Sequence, residues 1–318
     1  MKEKKYENYL ISGLDGGSFF SAAILVNLLF MLLVSLILTL CGATADEKFM
    51  SGYGYAYMCY LISPASILVT LVYAKIKCKL NVRAACGFNS FDKKFLLITA
   101  FLFGGCVLGL SGVNELFVGA LDRLVGYEAP TPNIPDSGAG YFLLSTLVIC
   151  VLPAIFEETL FRGLILNGAK RLGDAFAALT TGLLFCLFHR SPNQTLYQFI
   201  LGAIFGLLSV RSGSILPSMI FHFLNNFYII VCYYAWGANV EIPVAVNAVM
   251  IVAGLAMLAA GLYLLIKSKK PQKEEEIKTK YLEIAGLKQE RAAFMISSAV
   301  GGVVCLILWI SELVTYVS

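Results

Sequence analysis

Residues 141–190 read YFLLSTLVICVLPAIFEETLFRGLILNGAKRLGDAFAALTTGLLFCLFHR. Two apolar runs are separated here by a short polar segment at residues 170–174. The first run contains the adjacent carboxylates Glu157 and Glu158, and the second ends on His189. Ionisable side chains are costly to bury in a membrane, and they mark functional sites when they occur there. The stretch therefore predicts a membrane-embedded helical hairpin that carries a reactive site.

The rest of the chain has the composition of a membrane protein. Of its 318 residues, 58% are hydrophobic and only 14% are charged, whereas a soluble domain carries about a quarter charged residues. Apolar runs of about 20 residues predict an all-α fold, a polytopic transmembrane helix bundle with about eight to nine spans. We place the spans near residues 18–41, 53–74, 95–121, 141–160, 174–190, 195–210, 213–235, 243–266 and 293–317.

Lysine and arginine are concentrated in alternate loops, which predicts a cytoplasmic N-terminus. The loop at 126–140 is then non-cytoplasmic, and residues 267–292 form a charged cytoplasmic linker with a short surface helix near 277–287. We expect an integral membrane protein, in the plasma membrane if the source is bacterial, with membrane lipids as partners. Nothing in the sequence indicates a nucleic acid, and the sequence does not indicate an oligomeric state.

The chain divides into three predicted regions. Residues 1–94 form an N-terminal two-span region with a basic cytoplasmic loop, residues 95–235 form the core, and residues 236–318 hold the C-terminal spans. The patterns Gly105-x-x-x-Gly109 and Gly202-x-x-x-Gly206 would allow close helix packing inside the core.

The first motif is Glu157-Glu158-Thr-Leu-Phe-Arg162. On a helix, Glu158 and Arg162 are i,i+4 neighbours and can form an ion pair. Glu157 points about 100° away from Glu158. One carboxylate can therefore be structural while the other faces a reaction.

The second motif ends at His189, close before Pro192, which should end its helix. We expect Gly173 to be the C′ residue of the preceding helix and Asp174 the N-cap of the next, so that the two helices are antiparallel. Glu157 lies 14 residues before Arg171, and His189 lies 15 residues after Asp174. Both are therefore roughly 22 Å from the turn, at one level, and can face each other. The fourth helix must then continue past residue 160.

The third motif is His222-Phe-Leu-Asn-Asn226. His222 and Asn226 are i,i+4 neighbours on one helix face, whereas Asn225 points elsewhere. Together the motifs supply a carboxylate, two imidazoles and an amide. The carboxylate and one imidazole can activate a water, and the other imidazole and the amide can stabilise an oxyanion. The same groups can instead hold a divalent metal with an open position. No serine, cysteine or lysine nucleophile is indicated, so hydrolysis by activated water is expected.

At these residues the chain resembles the CPBP family of intramembrane proteases, also called the ABI or CAAX-protease-like family, which includes the prenyl-protein endopeptidase Rce1. The signatures EExxxR, FxxxH and HxxxN occur in order as Glu157-Glu158…Arg162, Phe185…His189 and His222…Asn226, within residues 146–228.

The resemblance implies an intramembrane endopeptidase that cleaves a membrane-associated protein or peptide, by CAAX-type or bacteriocin-type processing. Glu157 would activate water with His189, and His222 and Asn226 would support the oxyanion or bind metal. Glu158, Arg162 and Phe185 would hold the geometry. A divalent metal such as zinc, on Glu157, His189 and His222, and a metal-free glutamate mechanism both remain open.

Two other readings compete with this one. A catalytically silent scaffold or immunity protein of the same fold would be favoured by a missing motif residue, and none is missing. A proton-coupled transporter would also use buried Glu and His, but the sequence shows no inverted repeat of spans.

Overall fold

The computed structural model describes residues 11–79, 85–131, 133–135, 137–237, 242–269 and 286–317. This part of the chain is helical, with no β-strand and a single bridge between Tyr127 and Val317. Its main helices are α1 (Gly13–Leu40), α2 (Tyr53–Cys78), α3 (Lys94–Val125), α4 (Ala139–Leu172), α5 (Asp174–His189), α6 (Thr195–Ser212), α7 (Leu216–Trp236), α8 (Val244–Lys267) and α9 (Leu287–Thr315). All but α5 lie in the eight segments that are long and apolar enough to cross a membrane. The all-α transmembrane bundle predicted from the sequence is confirmed.

Helix α4 continues well past residue 160, as the hairpin argument predicts. Two π-helical turns widen it, at Thr146–Val151 and at Thr159–Ile165. The second turn begins directly after the carboxylate pair. Single π-turns inside α-helices occur frequently at functional sites. The second irregular segment of α4 therefore adjoins the carboxylates at which the sequence predicts chemistry.

The turn from α4 to α5 is tight, as predicted, but its capping differs by one residue. Gly173 has φ +120° and ψ 143° and is itself the N-cap of α5, so the predicted N-cap role of Asp174 is wrong. Asp174 is the first helical residue, and its carboxylate lies 3.3 Å from the Nη2 of Arg211 at the end of α6. A carboxylate in the first turn is also favoured by the helix dipole.

Glycines bring neighbouring helices into backbone contact. A methyl group at Gly105 in α3 would lie 2.5 Å from the backbone nitrogen of Leu258 in α8. One at Gly182 in α5 would lie 2.8 Å from the backbone nitrogen of Ala203 in α6. Gly202 in α6 approaches α5 as closely. Both GxxxG patterns therefore mark close helix contacts, as predicted.

Helices α1 and α9 run parallel to each other along their lengths. The Oγ of Ser21 donates to the carbonyl of Ser297 at 2.7 Å and accepts from the backbone N–H of Gly301 at 3.0 Å. Helix α1 also packs on α2 and α4, and α9 contacts the core directly, through Arg291 on the carbonyl of Leu172 and Trp309 on the hydroxyl of Thr195. The predicted surface helix near residues 277–287 lies almost entirely outside the described residues, which stop at 269 and resume at 286.

Candidate active site

Glu158 and Arg162 form a fully buried ion pair on α4. The Nη1 of Arg162 donates to the Oε1 of Glu158 at 2.9 Å, and both side chains are 0% exposed. The Nη2 of Arg162 donates to the carbonyl of Gly202 in α6 at 2.9 Å. The predicted pairing is confirmed, and it also ties the carboxylate helix to α6.

Aromatic rings enclose the guanidinium of Arg162. Its Cζ lies 4.5 Å from the ring centroid of Phe185 and 4.9 Å from that of Phe205. Cation–π contacts of this kind are strengthened when the cation is desolvated. Phe185 therefore supports the ion pair from α5, which gives a physical reason for the phenylalanine of the second motif.

His222 joins the two carboxylates. Its Nδ1 lies 2.9 Å from the Oε1 of Glu158, and its Nε2 lies 4.0 Å from the Oε2 of Glu157. The Oε1 of Glu158 already accepts from Arg162, so the Nδ1 of His222 is the donor to it. The sequence links His222 to Asn226 on its own helix and gives no signal for its contact with α4.

His189 is the last residue of α5, as the position of Pro192 predicts. Its Nδ1 bonds the carbonyl of Phe185 at 2.8 Å, which leaves its Nε2 for other partners. No hydrogen bond or ion pair within the described residues joins it to Glu157. The ring of Phe185 contacts both imidazoles, at 4.7 Å from His189 and 5.8 Å from His222.

The two asparagines of the third motif form a chain of hydrogen bonds that ends on α4. The Nδ2 of Asn225 donates to the Oδ1 of Asn226 at 3.2 Å, and the Nδ2 of Asn226 donates to the carbonyl of Ile149 at 2.9 Å. The hydroxyl of Tyr197 donates to the Oδ1 of Asn225 at 2.5 Å. Tyr197 and Asn225 were not identified from the sequence, because helical spacing alone favours Asn226.

Glu157 is the carboxylate of the pair that accepts no hydrogen bond within the described residues. It is 7% exposed, and its Oε2 has no hydrogen-bond partner. The Oε2 of Glu158 also lacks a partner, but the Oε1 of that group accepts from both Arg162 and His222. Buried polar atoms are almost always hydrogen-bonded. The Oε2 faces the Nε2 of His222, so the arrangement is suited to hold a small polar molecule between a carboxylate and an imidazole.

The donor set does not fit a three-ligand metal centre in this arrangement. Across the described ranges of the chain, no three His, Cys, Asp or Glu side chains form a group that could hold a metal ion. The close pair is Glu157 and His222, and the remaining nitrogen of His222 is taken by Glu158. We therefore derive no chemical step through a metal.

Comparison with known families points to the same part of the molecule. Residues 139–228 match the family model described as type II CAAX prenyl endopeptidase Rce1-like. This segment is similar to Rce1-like domains. The matched segment includes α4, α5, α6 and most of α7, and it contains all three motifs. The family that it resembles is one of CAAX-type proteases of the membrane. No curated protein and no solved structure matches the chain.

Proposed function

We propose that the chain is an intramembrane endopeptidase in which Glu157 activates the attacking water. The observation that carries the proposal is the buried Oε2 of Glu157, which has no partner and faces the Nε2 of His222 at 4.0 Å. A carboxylate within reach of a water and of the scissile bond can act as general base and later protonate the leaving amine. The family description supports a peptide bond as the target.

The hydrogen bonds around the site support a division of roles. Both imidazoles use Nδ1 for a protein contact, with Phe185 or with Glu158, so that both present Nε2 to the reaction. In our proposal His189 assists Glu157 in activating water. His222 acts in the form that carries a proton on both ring nitrogens, so that its Nε2–H and the second Nδ2 hydrogen of Asn226 stabilise the oxyanion while Nδ1–H stays on Glu158. Partners of this kind fix the orientation of a reactive ring, as in other histidine sites.

The substrate in this proposal is a membrane-associated protein or peptide. The family description favours a C-terminal CAAX segment with a prenylated cysteine. Precursor peptides of the bacteriocin type are the second substrate class. Both reach the site from the membrane, which agrees with carboxylates placed inside spanning helices.

The test is a cleavage assay with purified protein in lipid nanodiscs and a fluorogenic prenylated CAAX peptide. We expect Glu157→Gln to lower kcat by at least about 10²-fold, since a general base contributes about 10²- to 10⁴-fold. Glu115→Gln, a change of an exposed carboxylate in α3, is the matched control and should retain activity. A second arm adds a chelator to the wild type, and loss of activity there would establish metal assistance.

Equal cleavage by the wild type and a folded Glu157→Gln variant would overturn the proposal. If neither peptide class is cleaved by folded wild type, and Glu157→Gln functions normally in cells, the silent scaffold is the correct reading. His189→Ala is the second variant, and we expect it to lose activity as well.

A further inference from the structure

Arg190 follows His189 and is a cation that the proposed chemistry does not use. It ends α5 in a left-handed conformation with φ +56°. Its Nη1 donates to the Oδ1 of Asn27 at 3.0 Å and lies 3.3 Å from the Sδ of Met31, both on α1. Within the described part of the chain, no carboxylate lies within ion-pair distance of it.

The contacts of Arg190 place its guanidinium near the middle of the membrane. Asn27 is 14 residues from Gly13 and 13 residues from Leu40, at the centre of α1. That is roughly 20 Å from either helix end, while the hydrocarbon core is about 30 Å thick. Ser66 is equally central in α2 and accepts from the Nδ2 of Asn27 at 3.2 Å. Lipid phosphates lie at the membrane surface, too far away to neutralise this charge.

The direct contacts of Arg190 are neutral and fixed in orientation. The bond from Asn27 to Ser66 turns the amide oxygen of Asn27 toward the guanidinium. The carboxylate of Glu312 in α9 acts on Arg190 only from beyond ion-pair distance, and it accepts from the hydroxyl of Ser191. A charged residue inside the membrane with only neutral direct partners is a strong indication of function.

The free edge of the guanidinium fits a carboxylate. Hydrogen bonds in the described structure engage only Nη1, so Nε and Nη2 remain, and this edge forms paired bonds with a carboxylate. Arg190 is itself half-buried, and the neighbouring Met31 is 39% exposed on α1, so this region borders the lipid. Because Arg190 adjoins His189, an anion bound there would lie near the proposed site.

We propose that Arg190 binds the C-terminal carboxylate of the substrate. This inference rests on the proposed endopeptidase function and assigns to Arg190 the recognition of the free C-terminus of a CAAX-type substrate. Three extended residues span about 10 Å, so a C-terminus held beside His189 would place a bond a few residues upstream of it. Arg190 would thus select free C-termini and set the register of cleavage.

The test compares two probes, a farnesylated CAAX peptide with a free C-terminal carboxylate and the same peptide as a C-terminal amide. We expect the wild type to cleave the acid with a kcat/KM about 10- to 100-fold above that of the amide, as befits charge-assisted hydrogen bonds. Arg190→Gln should lower the value for the acid to that for the amide. Arg190→Lys should keep part of the preference, and Arg123→Gln, at an exposed position in α3, should keep all of it.

If the wild type cleaves both probes equally, this inference is overturned and the proposed endopeptidase function is unaffected. The same conclusion follows if Arg190→Gln still cleaves the acid faster than the amide. A binding arm with Glu157→Gln protein separates the two proposals when neither probe is cleaved. Tighter binding of the acid than the amide, measured by fluorescence anisotropy, supports the role of Arg190 without any catalysis. Equal binding of the two overturns it. The comparison of probes on wild-type protein needs no variant, so it stands even if Arg190→Gln does not fold.

Discussion

Replacing Arg162 by methionine tests how the intramembrane carboxylates are held. The change removes two 2.9 Å hydrogen bonds, to Glu158 and to the carbonyl of Gly202, and leaves a fully buried carboxylate with His222 as its remaining direct partner. Removing one member of a buried ion pair costs about 3–5 kcal/mol. We therefore expect the free energy of unfolding to fall by about 3–5 kcal/mol.

Two further variants separate the charge from the geometry. Arg162→Lys keeps the charge but lacks the planar fork that reaches Glu158 and Gly202 together, so we expect a loss of about 1–2 kcal/mol. The double variant Glu158→Gln/Arg162→Met removes both charges. Its loss should be smaller than the sum of the single losses by about 2–3 kcal/mol, because neither charge is left unpaired.

Unfolding by a denaturing detergent, followed by circular dichroism in mixed micelles, measures these differences. Additive losses in the double variant would refute the reasoning, since Glu158 and Arg162 would then not depend on each other. A loss below about 0.5 kcal/mol for Arg162→Met, the range of ordinary surface substitutions, would refute it too.

Two substitutions and one titration test other parts of the structure. Tyr197→Phe removes the hydrogen bond to Asn225 and should lower kcat by about 10-fold, less than the loss of an oxyanion donor; an unchanged kcat contradicts this. Gly254→Ala places a methyl group against the backbone of α3 and should cost about 1–3 kcal/mol, whereas Gly54→Ala, with open space around it, should cost nothing. The pKa of Asp92 lies below its usual value because the backbone N–H two residues on donates to it. Its stabilisation is thus present above about pH 4 and lost as the pH falls through the lowered pKa, and an NMR titration midpoint at or above about 3.9 contradicts this.

Most of the site prediction rests on the spacing of residues along α4 and α5. The distances of Glu157 and His189 from the turn predicted the extent of α4 and the end of α5, because helical rise is nearly constant. The Glu158–Arg162 pair followed from i,i+4 geometry. The glycine patterns predicted helix contacts but not their partners, since any helix with small residues at matching heights can receive them.

Contacts between helices that are distant in sequence were not predictable in the same way. Helical spacing shows that His222 and Asn226 share a face, but the face that α7 turns toward α4 depends on packing across the whole bundle. The structure turns His222 onto Glu158, and it places Tyr197 behind Asn225. The partners of Arg190 on α1 are likewise set by packing, and the sequence gives no signal for its contact with Asn27.

The adjacent carboxylates differ in function because of their neighbours, not their chemistry. Glu158 receives hydrogen bonds from Arg162 and His222 on one oxygen, so its charge is balanced before any substrate arrives. Glu157 is nearly as enclosed, but it accepts no hydrogen bond within the described residues. The Oε2 of Glu158 also lacks a partner, yet two donors on Oε1 already stabilise the charge of that group. A buried carboxylate without any donor gains more from the hydrogen bond of a bound water than one whose charge is already stabilised. The same burial that makes Glu158 a structural anchor therefore makes Glu157 the position where a water is held most strongly.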